Sequence, residues 1–341
     1  MLLLSVVTAA VAVAEGMVMG ISEIESAPVS GAEVPARSRR RKGLIIAGAA
    51  AAAVLAAAGS GAVAAVSSAH APAATEASAS SSPFWADDFD GAAGTRPDSA
   101  HWNTEVGNRD QEGWWNNELQ YYTADAANSA VNGSGQLIIS AREATAGQHL
   151  PCYPSGSCEY TSARLTTEGN VSLTYGRADI RAKIPTGQGL LPAIWMLGNN
   201  GQIWPAQGEI DIVEVVGGEP NTAYGTLHGP TYYNENGIGG TYDLGAAASS
   251  AWHVYSVIKQ PEKITWLVDD EPYFELTPND LPSTQDWVFE QDMHLLLNVA
   301  VGGDWPGDPD ASTSFPAEMR IDYVHLYGEG IVDGVAVSSP N

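Results

Sequence analysis

The chain has 341 residues, 15 Lys and Arg against 40 Asp and Glu, a formal charge of -25 and 2 cysteines. A nucleic-acid binder needs a basic face to release counterions from phosphates, so the charge excludes that class; two cysteines exclude a Cys-rich zinc module or a disulfide-dense miniprotein. With 44% apolar residues, 10 Trp and 13 Tyr the chain can bury a core, which excludes intrinsic disorder.

In chain order, residues 1–36 open with an apolar run, 1–14, that has no basic flank. Arg37, Arg39, Arg40, Arg41 and Lys42 form the densest basic cluster. An Ala-rich run, 43–66, and then Ala69-His70-Ala71-Pro72 follow. A basic region, an apolar region and a small-residue cleavage site describe an export signal. Ser38-Arg39-Arg40 before Leu44 also fits a twin-arginine signal. The competing reading is a membrane anchor, since about 20 apolar residues span a bilayer. The run is mostly Ala and Gly, whose insertion is weak. The expectation is an extension and export signal over 1–71, cleaved near Ala71, with the true start closer to Met17 or Met19. The product would be secreted and keep no stable membrane partner. Residues 72–82 have the composition of a flexible linker. The chain after Ala71 has 10 basic and 36 acidic residues, so the acidity belongs to the exported part.

From Phe84 no helical period is sustained. Short alternating or apolar runs recur at 136–141, 171–183, 193–197, 209–216, 222–228, 253–259, 264–268, 294–301 and 320–327. Asn132-Gly133, 185–189, Gly217-Gly218, Asp269-Asp270 and Gly302-Gly303 punctuate them. Many short strands with turn signals predict an all-β sandwich or jelly roll. There is no internal repeat and no break, so 83–329 reads as one domain and 330–341 as a tail without an assigned role. Cys152 and Cys158 flank a five-residue loop; in an exported chain this predicts a small disulfide. A two-Cys metal site is the alternative, and it lacks nearby His or Cys to complete it.

The chemistry concentrates in Gly208-Glu209-Ile210-Asp211-Ile212-Val213-Glu214-Val215-Val216-Gly217. The β-branched spacers define a strand, which puts Glu209 and Asp211 on one face. Glu214 falls on the other face of a regular strand. A bulge at Ile212-Val213 would restore it, and bulges re-aim side chains beside active sites. The outer Cα atoms would then stand roughly 13 Å apart, a gap that two Glu side chains can largely close. Retaining glycosidases need two carboxyls about 5–5.5 Å apart, one as nucleophile and one as acid/base. Asp211 between them would orient the nucleophile and raise its partner's pKa. The alternatives are a solvated acidic strand face and a calcium cluster. Trp195, Trp204 and Trp305 lie among Gly and Pro near these acids, and flat indoles suit sugar faces. Any one such Trp is more often core than platform; three flanked by Gly and Pro loops favour at least one platform.

The run WPAQGEIDIVEVVG resembles the catalytic signature of glycoside hydrolase family 16, in its laminarinase (endo-β-1,3-glucanase) branch. FWADDFDG, WWNNELQYYT, YTSARLTTEG, LPAIWMLG, TLHGP, LLNVAVGGDWPG and IDYVHLYG agree in order, so the resemblance covers 83–328. It implies a β-jelly roll of two stacked antiparallel sheets with a concave glycan cleft. It also implies Glu209 as nucleophile, Glu214 as acid/base and Asp211 assisting, with retention of anomeric configuration. Trp204 would line the subsite next to the cleaved bond. Trp195, Asn117, Arg164 and Trp305 would be neighbouring glycan contacts, and His228 would lie near the acid/base. A structural calcium ion would be held by Asp322 with backbone oxygens near Asp88 and Gly135; the alternative is that Asp322 caps a strand end. No cofactor is required for catalysis. The expected partner is a β-glucan and the expected state a monomer. Mixed-linkage glucan, an algal galactan and a non-catalytic β-glucan-binding role are the competing functions.

Overall fold

The computed structural model describes residues 82–340. The expectations for 1–71, and all but the last residue of the linker 72–82, lie outside the described residues. The strands in chain order are β1 Trp85–Asp87, β2 Asn103–Glu105, β3 Gln120–Tyr122, β4 Ser129–Val131, β5 Leu137–Glu143, β6 Tyr160–Ser162, β7 Arg164–Thr166, β8 Val171–Lys183 and β9 Leu190–Gly198. Then come β10 Glu209–Glu214, β11 Thr222–His228, β12 Ile238–Asp243, β13 His253–Gln260, β14 Lys263–Val268, β15 Glu271–Leu276, β16 Met293–Val301, β17 Ala317–Val332 and β18 Val335–Ser338. The only helical segments among the described residues are short 3-10 turns.

The pairings lay out two sheets. The first runs β2-β7-β16-β9-β10-β11-β12. The second runs β17-β8-β13-β14-β15, with β1 and β5 on the other side of the long β17. Leu173 of β8 also pairs with Met293 of β16, which joins the sheets at one corner. All these pairs are antiparallel; β3 and β6 make a parallel pair. One core fills the space between the layers. Ile194, Met196, Ile210, Leu295 and Leu297 enter it from the first sheet, and Ile180, Val257, Trp266, Val324 and Leu326 from the second. This is the sandwich that alternating strands dictate, because each sheet must hide one apolar face.

The long runs of alternating residues became strands within a few residues of the sequence reading. The segments it passed over are short or atypical. β2, β3, β4, β6 and β7 have three residues each, too few to show a period. β12 contains Gly239-Gly240, which reads locally as a turn. The boundary at residue 329 is corrected. β17 continues to Val332, turns through Asp333-Gly334, both with positive φ, and pairs with β18. An Asp-Gly pair between apolar runs is a hairpin signal, so most of the tail belongs to the sheet. Cys152 and Cys158 form a disulfide with Cα atoms 4.9 Å apart, clasping their loop.

Candidate active site

β10 sits between β9 and β11, and its register shows how three acids reach one face. Against β9, Asp211 faces Trp195 and Val213 faces Ile194, so Ile212 is an extra residue. Against β11, Asp211 faces Thr226 and Glu214 faces Tyr224, with Ile212 and Val213 opposite Gly225 alone. Ile210, Ile212, Val213 and Val215 all enter the core. The bulge therefore buries two successive apolar residues and turns Glu214 back to the face of Glu209 and Asp211.

Two residues hold the bulge that the sequence reading did not single out. Trp266 of β14 is fully buried, and its Nε1 donates to the Asp211 carbonyl at 2.8 Å. A Cβ on Gly225 would lie 2.5 Å from Trp266 Cδ1, so only glycine lets that indole approach. No local signal distinguishes Trp266 from an ordinary core tryptophan; its role depends on β14 passing beneath β10.

Directly opposed residues of neighbouring strands share a face, so the open face is built from three cross-strand rows. His294, Leu197, Glu209 and His228 form the first. Leu296, Trp195, Asp211 and Thr226 form the second, with Thr166 beyond. Arg164, Asn298, Ala193, Glu214 and Tyr224 form the third. A cavity of about 250 Å³ opens on this face, lined among others by Arg164, Thr166, Leu197, His294 and Leu296.

Aromatic walls stand at both ends of β10. Trp204 Nε1 donates to Glu209 Oε2 at 2.9 Å, and its ring meets Tyr233 edge-on at 5.5 Å. At the other end Trp305 meets Tyr224 edge-on at 5.0 Å. Trp204 and Trp305 are 38% and 47% exposed, enough to offer a face to a ligand. Arg164 lies 4.6 Å over Trp195 and 4.7 Å over Trp114, a cation clamped between two indoles. Trp195 Nε1 donates to Asn298, whose amide donates to the Tyr122 hydroxyl, which donates to the buried Glu118. Trp195 is thus a braced floor residue. Asn117 donates its side-chain amide to Asp304 at 2.9 Å and ties two rim loops together.

His228 lies directly beside Asp211 and the nucleophile position, and its charge also reaches Glu214. The hairpin pairs it with Glu209, the end of β10 remote from Glu214. Its Nε2 is 3.3 Å from Asp211 Oδ2 and 3.8 Å from Glu209 Oε1.

All three carboxyls are held above their ordinary values. Burial, then the neighbouring Asp211, pushes Glu209 up to about 8. Burial pushes Asp211 up to about 7 and Glu214 well above the carboxylate range. Their neighbours separate the outer pair. Glu209 receives the Trp204 N–H and faces His228, both of which favour its charged form. Glu214 accepts no hydrogen bond among the described residues; the charges of Asp211 and Glu209 raise it further, and His228 offsets part of that. The site is therefore arranged to keep its most tightly held proton on Glu214 and to ionise Glu209 before it.

Of the residues expected to hold calcium, two lie together and the third is ion-paired. Asp88 and Gly135 lie together, since a Cβ on Gly135 would be 3.5 Å from the Asp88 carbonyl. Asp322 Oδ2, however, lies 2.5 Å from Arg181 Nη1. A dication at Asp322 would face a guanidinium.

Two carboxyls on one open face, a buried acid between them and tryptophan walls suit the cleavage of a glycosidic bond. Over residues 116–325 the chain matches the family model of Glycosyl hydrolases family 16, and it belongs to that family. It is 42% identical over 258 residues to a β-glucanase of Rhodothermus marinus, covering 71% of this chain and 84% of that protein. It is 37% identical over 262 residues to glucan endo-1,3-β-glucosidase A1 of Niallia circulans, covering 72% of this chain and 37% of that larger protein. Its fold superposes on the laminarinase catalytic domain of Thermotoga maritima with a TM-score of 0.66 and 40% identity, over 76% of this chain and 99% of that one.

Proposed function

We propose that the protein is a secreted endo-acting enzyme that hydrolyses β-1,3-glucosidic bonds of β-glucans such as laminarin, with retention of configuration. The observation that carries this reading is the bulged β10, which gathers Glu209, Asp211 and Glu214 on one open face. Glu209, oriented by the Trp204 N–H, attacks the anomeric carbon while Glu214 protonates the leaving oxygen. The glycosyl–Glu209 ester then yields to a water deprotonated by Glu214, which restores both groups. Asp211 keeps negative charge beside Glu214, so that its proton is available for donation. This chemistry needs no cofactor. The relatives named for β-glucan and β-1,3-glucan cleavage support the substrate class.

Export rests on the basic cluster 37–42, the apolar run after it and a disulfide suited to an oxidising compartment. The test of substrate is a side-by-side assay on laminarin, lichenan, agarose and carrageenan. Laminarin should release reducing ends fastest, as mixed-length fragments. Faster cleavage of lichenan or a galactan would move the enzyme to another substrate, and no cleavage at all would leave a glycan-binding protein.

A further inference from the structure

We propose that the catalytic face also binds a zinc-class transition-metal cation, reversibly and with inhibition, through Glu209, Asp211 and His228. Each offers one ligand atom, and these atoms lie within 4.8 Å of one another. Donors bound about 2.0–2.1 Å from a tetrahedral zinc ion stand roughly 3.3 Å apart. The Asp211–His228 edge is 3.3 Å and the Glu209–His228 edge 3.8 Å. The first already has the required length and the second is longer by about half an ångström.

A second observation is that, among the described residues, the donor atoms face one another and are engaged only within the trio. Asp211 is 3% exposed, and among the described residues no hydrogen bond reaches its Oδ2. Glu209 Oε2 is occupied by the Trp204 N–H, which leaves Oε1 as the oxygen that faces His228. The imidazole is fixed in place, since even a Cβ on Gly237 would come within 2.4 Å of its Cε1. Two carboxylates and one imidazole suit zinc or copper, whereas calcium and magnesium want more oxygens. Among the described residues His228 Nδ1 has no partner, so the site they form lacks the outer acceptor that tightens resident metal centres. The cation is therefore a reversible ligand.

A cation on Glu209 Oε1 withdraws the lone pair that would attack the sugar, so zinc competes with glucan. That consequence rests on Glu209 as nucleophile; the binding itself does not. The test titrates untagged protein with CoCl2, read by visible absorption, and with ZnCl2, read by calorimetry. Wild type and Glu214→Gln should each bind one ion and show the intense bands of tetrahedral cobalt. His228→Ala and Asp211→Asn, with melting curves to confirm folding, should bind more than about tenfold more weakly. Zinc should raise KM for laminarin at constant kcat, and chelation should restore activity. No saturable binding to wild type, or equal affinity in both folded variants, overturns the site. Binding without inhibition overturns the inhibitory role and counts against Glu209 as the attacking group.

Discussion

At the scale of single residues, the acids of β10 destabilise the fold they serve. Glu209 has an ordinary value of 4.5 and is pushed up to about 8. Between those values the folded chain holds more protons than the unfolded chain, so stability falls as pH rises through that window. Glu209→Gln should melt higher than wild type near pH 8 and equally at about pH 4, measured by calorimetry, while lowering kcat at least about 10⁴-fold. Equal melting at both pH values would show that burial does not burden Glu209. Trp204 acts in the opposite direction, because its N–H favours the Glu209 carboxylate. Trp204→Phe should move the acid limb of the kcat/KM profile up by about one pH unit; an unmoved limb would separate Trp204 from the ionisation of Glu209.

The elements show what a sequence can reveal and where that ends. The face of Glu209 and Asp211, and the need for a bulge before Glu214, follow from strand parity, and the register has that bulge. Trp266 and Gly225 were out of reach, because what they do depends on which strands become neighbours. Parity likewise says nothing about which end of β10 a residue of β11 will face, so the pairing of His228 with Glu209 was not legible. Three-residue strands have no period to read, and Asp333-Gly334 is a hairpin signal that lies beyond the last long alternating run. Because the bulge depends on Trp266, Trp266→Phe should leave the Asp211 carbonyl unpaired and cost about 1–3 kcal/mol in denaturant melts. It should also lower kcat more than that loss of stability explains. A kcat equal to wild type would show that the bulge holds without the indole.

For the whole molecule, the sandwich supplies a rigid open face while loops supply its walls. Ten tryptophans occur, all after Pro83, and their work divides. Trp85 and Trp102 are buried in the core, Trp266 braces the bulge from inside it, Trp195 and Trp114 clamp Arg164, and Trp204 and Trp305 stand exposed at the cleft ends. Composition could count them but could not assign them. The charge of -25 has a similar limit: three acids suffice for the chemistry, while others such as Glu118, Asp304 and Asp322 brace the fold. Since Asp322 is paired with Arg181, chelation with EDTA should leave the melting temperature unchanged. A drop of several degrees, reversed by calcium, would place a structural ion in the fold.

Glu209 and Glu214 are proposed to cleave glucan by double displacement. Proton NMR of the first reducing ends released from laminarin tests it most directly, read before mutarotation sets in. The β anomer should appear first and the α anomer only later. An α anomer formed first would mean inversion, and Glu209 would not be the nucleophile.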